Sequence, residues 1–164
     1  MKPTRRASPP GTYFVTTSTQ SGTALLQRDA LAELFVKVIY EYRQQDRFRL
    51  HAFVVMPDHI HLIITPGESL ERAMQFIKGG FSYRASREFG LASQVWARGF
   101  TDHRIRDEND FLAHRNYIHM NPVRHNLVER AEEYRFSSAH GSYELDPFPS
   151  AAKAAEVAGL VRHG

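Results

Sequence analysis

The stretch His51-Ala-Phe-Val-Val-Met-Pro-Asp-His-Ile-His-Leu-Ile-Ile-Thr-Pro66 decides how the rest of the chain is read. Two runs rich in Val, Ile and Phe flank Pro57-Asp58, and proline presets the backbone angle that a turn needs. The pattern predicts a hairpin with strands over about 48–56 and 59–65. In the first strand Val54 and Met56 face one way and Phe53 and Val55 the other. A strand apolar on both faces is expected at the centre of its sheet. The second strand carries His59 and His61, whose side chains share a face and stand about 7 Å apart along the strand. Two imidazoles so placed either share one metal ion or each satisfy a local hydrogen bond, and the pair alone does not decide.

Upstream, Thr12 to Thr19 is a β-branched and aromatic strand. Leu31, Leu34, Phe35, Val38, Ile39 and Tyr42 then form one apolar helical face, with Asp29 near its start and Arg43, Arg47 and Arg49 towards its end. Downstream, Ser69 is a candidate N-cap for a second helix with Leu70, Ala73, Met74 and Ile77 as its buried stripe. Gly79-Gly80 interrupts that pattern and marks a kink or a close approach to a ligand. Lys78, Tyr83, Arg84 and Arg87 surround that point, either lining a DNA groove or forming an ordinary solvated face.

Gln94 to Arg106 reads as a strand with an irregularity at Gly99. Trp96, Arg98, Phe100, Asp102 and Arg104 would share one face as a stacking platform, unless Trp96 is a core anchor with its N–H satisfied. A last helix is expected over Asp107 to Pro122, with acidic residues in its first turn and the proline after its last helical residue. Phe111, Leu112 and Ile118 anchor one side of it. Tyr117 and Asn121 are four apart and therefore share a face. Arg135 to Ala139 begins a capped turn.

The order strand, helix, strand, strand, helix, strand, helix fits an α+β, ferredoxin-like (RRM-like) antiparallel sheet with helices packed on one face. The C-terminal helix carries the tyrosine, and the open sheet face is left for His59, His61 and a ligand. Three segments follow: a flexible basic arm over 1–11 containing Arg5 and Arg6, a domain over 12–144, and a loosely held tail over 145–164.

The 164 residues contain no cysteine, which excludes disulfides, cysteine zinc sites and thiol catalysis. No apolar run is long enough to span a bilayer, so no membrane role and a soluble intracellular location are expected. The net charge is only +3, yet 17 of the 21 basic residues are Arg. Guanidinium groups suit phosphate oxygens and stack on bases, so arginines among 11 Phe and 7 Tyr suit a single-stranded nucleic-acid surface. GC-rich coding would give the same composition.

His59 and His61 offer two nitrogens, Asn121 an amide oxygen, and Tyr117 a phenol one helical turn from Asn121. A phenolate attacks phosphorus, and a divalent cation beside it polarises the phosphate. At this point the sequence resembles the single-tyrosine HUH transposases, and among them the REP-associated tyrosine transposases. The resemblance is carried by Val55-Met-Pro-Asp-His-Ile-His-Leu62 and Tyr117-Ile-His-Met-Asn-Pro-Val-Arg124, with Trp96-Ala-Arg-Gly-Phe-Thr-Asp-His103 and Tyr134-Arg-Phe-Ser-Ser138 as further blocks. It covers roughly residues 12–143.

The resemblance implies a bacterial, cytoplasmic, nucleoid-associated endonuclease and strand transferase acting on single-stranded DNA hairpins of palindromic repeats. Tyr117 would form a 5′-phosphotyrosine and release a 3′-OH. His59, His61 and Asn121 would hold Mg²⁺ or Mn²⁺, and imidazole ligands favour Mn²⁺. Arg5, Arg6, Lys78, Tyr83, Arg84, Arg87, Arg98, Arg104 and Arg124 are the candidate DNA contacts. Relatives include homodimers as well as monomers. The rival readings are a non-cleaving hairpin-binding regulatory module and a metal hydrolase that activates water. The resemblance assigns no role to His114, His119 or His125.

Overall fold

The computed structural model describes residues 7–91 and 94–149, so Arg5, Arg6 and the chain beyond 149 lie outside the described residues. The hairpin forms as β2 (Phe48–Val55) and β3 (His59–Pro66), closed by Met56 N–H donating to His59 O at 2.8 Å. A register shift between Leu50 and Ala52 changes the pleat parity within β2. Phe48 and Leu50 therefore face the same side as Phe53 and Val55.

β1 (Tyr13–Ser18) pairs antiparallel with β3, and the short β4 (Thr101–Arg104) pairs antiparallel with β1. The sheet order is β2-β3-β1-β4. This is the expected ferredoxin-like sheet, but it places β2 at an edge rather than at the centre. Its burial on both faces has another origin. The returning chain covers the edge: Val55 N–H donates to Phe136 O, Phe53 N–H to Ser138 Oγ, and Leu50 N–H to the Asp146 carboxylate. Asp146 N–H answers at Leu50 O, and the Tyr134 hydroxyl donates to Val55 O. An edge strand so covered has its polar groups satisfied and does not template pairing with another chain.

Two helices pack on one side of the sheet, α1 (Asp29–Gln44) and α2 (Leu70–Phe89). Ser69 caps α2 by accepting from Arg72 N–H, and Gly90 ends it in the left-handed region. Helix α2 runs unbroken through Gly79-Gly80. A Cβ on Gly80 would lie 2.5 Å from the Tyr42 hydroxyl, so the glycine admits α1, not a ligand. Leu31, Phe35, Ile39, Phe53, Leu62, Ile77 and Phe81 fill this layer, each essentially inaccessible to water.

The third helix, α3 (Glu108–Arg124), is capped by Asp107, whose carboxylate accepts from Asp110 N–H. It crosses the other side of the sheet, where Phe111 and Ile118 join Ala52, Val54, Met56 and Ile63 in a second, smaller core. The face expected to be open is therefore roofed by the tyrosine helix. Leu112 points to solvent, 41% exposed. Pro122 lies inside α3, in its last turn, where its missing N–H leaves only the Ile118 carbonyl without its helical donor.

The strand expected over 94–106 shrinks to β4, because Gly99 adopts φ 75° and breaks the extended run. Trp96 is a core anchor: its indole N–H donates to Lys78 O and its ring packs against Phe35 and Phe81. Both ends of the described stretch are held further than expected. Ser8 bonds Glu71, Arg104 donates to Pro10 O, and Tyr13 OH donates to Pro9 O. At the other end Arg43 clasps Asp146 with two bonds of 2.9 Å, and Phe148 stacks on Phe111. The start of the segment taken as a loose tail thus belongs to the packed domain.

Candidate active site between the sheet and the third helix

Central strand β3 points His59, His61 and Ile63 towards α3 while Ile60, Leu62 and Ile64 face α1 and α2. The alternation alone sets this, since a one-residue slip would bury the imidazoles in the dry layer. Opposite His61 on β1 stands Thr16, whose hydroxyl lies 2.7 Å from His61 Nδ1. Asp58 Oδ1 lies 2.7 Å from His59 Nδ1. Each imidazole is thus held by its Nδ1 and keeps Nε2 for another partner, the arrangement that orients metal-binding histidines. The two rings stand edge-to-face with centroids 4.8 Å apart.

Asn121 closes the group from α3. Its amide nitrogen is 3.5 Å from His61 Nε2. Its Oδ1 is buried with no hydrogen-bond partner among the described residues. A buried amide oxygen without a donor is costly, and a cation beside it would remove that cost. Two imidazole nitrogens and one amide oxygen are therefore a donor set that fits a divalent ion. Burial, with the charges of His59, Arg124 and His125 added, pushes His61 down to about 3, so its ring stays neutral with a free lone pair.

Tyr117 sits one turn before Asn121 and is 42% exposed. Its ring meets His61 at 5.5 Å and Phe14 at 6.0 Å, both edge-on. The Arg124 guanidinium stacks on it at 4.3 Å and donates to Tyr117 O at 2.7 Å. The structure thus brings together His59, His61, Asn121, Tyr117 and Arg124. It separates them from Lys78, Tyr83, Arg84 and Arg87, which belong to α2 on the opposite side of the sheet.

The four α2 residues also have local partners. Lys78 donates to Ala97 O and Gly99 O, and burial lowers its pKa. Arg84 pairs with Glu41 and Glu88, and Arg87 donates to Tyr83 OH. Arg98 is exposed in the loop before β4, and Arg104 bonds Pro10 O.

The remaining histidines take places that their spacing did not reveal. His125 donates from Nδ1 to Asn121 O and lies 6.2 Å from His59. His119 Nε2 meets Ser138 Oγ at 2.8 Å, pinning α3 to the segment that covers β2, and burial near Arg115 lowers its pKa to about 4. His114 lies with His103 against Asp110. Burial alone would raise Asp110, but Arg106 N–H and His103 outweigh it and bring the carboxyl to about 2. Asp58, read from the sequence only as a turn residue, holds His59. Phe14 and Thr16 carried no signal, because strand pairing alone brings them in.

The ferredoxin-like sheet thus presents two histidines to a tyrosine and an amide one helical turn apart. The family described as Transposase IS200 like matches residues 12–121, and the chain belongs to that family, within its REP-associated tyrosine transposases. The REP-associated tyrosine transposase of Escherichia coli (strain K12) is 31% identical over 148 residues, 83% of this chain and 84% of that protein. A Haemophilus influenzae relative is 28% identical over 151 residues, 85% of each chain. A solved REP-associated tyrosine transposase bound to a REP hairpin superposes with a TM-score of 0.64 at 31% identity, covering 90% of this chain and 91% of that one.

Proposed function

We propose that this protein cuts and rejoins single-stranded DNA at hairpins formed by palindromic repeats, using Tyr117 as the nucleophile. The observation that carries the proposal is Asn121 Oδ1, buried without a partner among the described residues, beside His61 Nε2 and one helical turn from Tyr117. Family membership and the hairpin-bound relative support the substrate class.

His59, His61 and Asn121 would hold Mg²⁺ or Mn²⁺, which when bound polarises the scissile phosphate and offsets developing charge. Asp58 and Thr16 keep the two imidazoles oriented. Tyr117, open to solvent, gives its phenolic proton to water and its oxygen bonds to phosphorus. The phosphorus–O3′ bond breaks, and the departing oxygen takes up a proton as a 3′-OH. The 5′-phosphotyrosine retains the phosphodiester bond energy, so a second 3′-OH rejoins the strand without ATP. Arg124, already stacked on the Tyr117 ring, offers its guanidinium fork to phosphate oxygens.

The test is incubation with end-labelled hairpin DNA, with and without Mn²⁺ or Mg²⁺, followed by denaturing electrophoresis. A metal-dependent adduct on the 3′-labelled fragment is expected from the parent and none from Tyr117→Phe. Cutting without an adduct would move the assignment to a hydrolase that activates water. Hairpin binding without cutting under either metal would move it to a regulatory binding module.

A further inference from the structure

Beyond the tyrosine site, a second constellation of ligating side chains lies where β4 passes into α3. Among the described residues, His103, Asp110 and His114 each offer one ligand atom, all within 4.8 Å of one another. His103 Nε2 is 2.9 Å from Asp110 Oδ2, and His114 Nδ1 is 3.2 Å from Asp110 Oδ1. The two rings stack at 4.6 Å with 17° between their planes. We propose that these three residues form a second cation site, selective for a borderline-soft divalent ion of the Zn²⁺ type, which clamps the start of the tyrosine helix to the sheet edge.

The donor set decides the class of ion. Two imidazole nitrogens and one carboxylate oxygen suit Zn²⁺ and its neighbours, whereas Mg²⁺ asks for an octahedron of oxygens. Ligand atoms about 2.0–2.1 Å from a tetrahedral ion stand roughly 3.3 Å from one another. The two distances run to different oxygens of Asp110, and His114 Nδ1 now bonds the Asp110 backbone O at 2.8 Å. An ion therefore takes the place of that bond's proton and draws the three ligand atoms, now within 4.8 Å of one another, in towards that edge.

The supports are built in. The Asp110 side chain is 6% exposed and its Oδ2 also accepts from Arg106 N–H, which fixes the carboxylate from behind. Arg106 stands in the way, its Nε 3.4 Å from Asp110 Oδ2; its side chain is 76% exposed and free to turn outward. His103 is 41% exposed and gives the ion a route from solvent. Three protein ligands leave a fourth position for water.

The site does not overlap the tyrosine site. The Phe14 ring stands between them, 4.9 Å from His114, 5.3 Å from His61 and 6.0 Å from Tyr117. An ion at Asp110 would hold β4 against α3 two turns before Tyr117, and Phe14 would transmit that order to the nucleophile. The same contacts would also arise from a metal-free hydrogen-bonded cluster, and the experiment separates the two. The inference does not depend on the strand-transfer reading.

Full-length protein stripped with a chelator is titrated calorimetrically with Zn²⁺, and melting is followed with and without the ion. The parent, His61→Ala, His103→Gln and Asp110→Asn are compared. His61→Ala, which disables the tyrosine site, is expected to retain one equivalent of Zn²⁺ and a Zn²⁺-dependent rise in Tm. Adding His103→Gln to it should weaken that equivalent at least tenfold and remove the rise, and Mg²⁺ should not substitute. Asp110→Asn should act likewise if it folds; the exposed His103→Gln keeps the test decisive if it does not. Loss of all Zn²⁺ binding in His61→Ala, or undiminished binding after His103→Gln, would overturn the site whatever the DNA assay shows.

Discussion

The two faces of one sheet are built to different rules. Towards α1 and α2 the buried layer is mainly apolar, and Phe35, Leu62 and Phe81 are wholly excluded from water. Towards α3 the apolar patch is small, and His61, Asn121 and Asp110 are buried beside it. The first face gains its free energy from area removed from water. The second holds polar groups whose desolvation must be met by specific partners, and Asn121 Oδ1 has none among the described residues. The dry face supplies the stability that offsets the desolvation cost of the polar groups on the other.

Five substitutions test this contrast. Tyr117→Phe should lower covalent adduct formation on the order of 10³-fold or more while leaving hairpin affinity and Tm close to the parent's. The adduct assay beside a binding titration checks both. Phe81→Ala on the dry face should show the opposite profile, costing about 3–5 kcal/mol in urea unfolding with little change in activity per folded molecule. Comparable activity losses per folded molecule in the two variants would dissolve the distinction between the faces.

Asp146→Ala removes the Arg43 pair and the Leu50 N–H acceptor from the covered edge, and should cost about 1–3 kcal/mol. Burial would raise the Asp146 carboxyl, but its bonds from Arg43 and Leu50 N–H outweigh that and lower it. Its contribution is therefore present above the unfolded carboxylate value and lost as pH falls through the lowered folded one. Acid melts of the parent should show this loss and those of the variant should lack it.

Thr16→Val leaves the dry face untouched and frees His61 Nδ1. Manganese affinity measured by calorimetry should fall about tenfold, with little change in Tm. The smallest effect belongs to His119→Gln. His119 is held down to about 4 by burial, so the unfolded chain binds more protons between about 6.5 and 4. Stability must fall as pH falls through that window. The buried, neutral His51 and His61 contribute in the same sense, so the variant should show a shallower decline in Tm, not a flat one.

Much of the fold was legible along the chain because helices and hairpins write their periods locally. The stripe from Leu31 to Tyr42, the Ser69 cap and the hairpin around Pro57 all occur near their expected places. Gly79-Gly80 misled because a helix partner, not a kink, was what the missing side chain made room for. The extended reading of 94–106 failed at Gly99, where one positive φ ends the strand.

By itself the sequence determined the element order, the shared face of His59 and His61, and the pairing of Tyr117 with Asn121 one turn apart. These follow from strand and helix periods, which need no knowledge of distant residues. That β2 is an edge closed by the returning chain, and that α3 roofs the second face, came from the folded chain alone. It also decided that Lys78 braces a loop, and that His103 meets Asp110 and His114. Each of those depends on which segment returns to satisfy a buried polar group or cover an apolar one, and that choice is settled by the whole chain competing for the same surfaces.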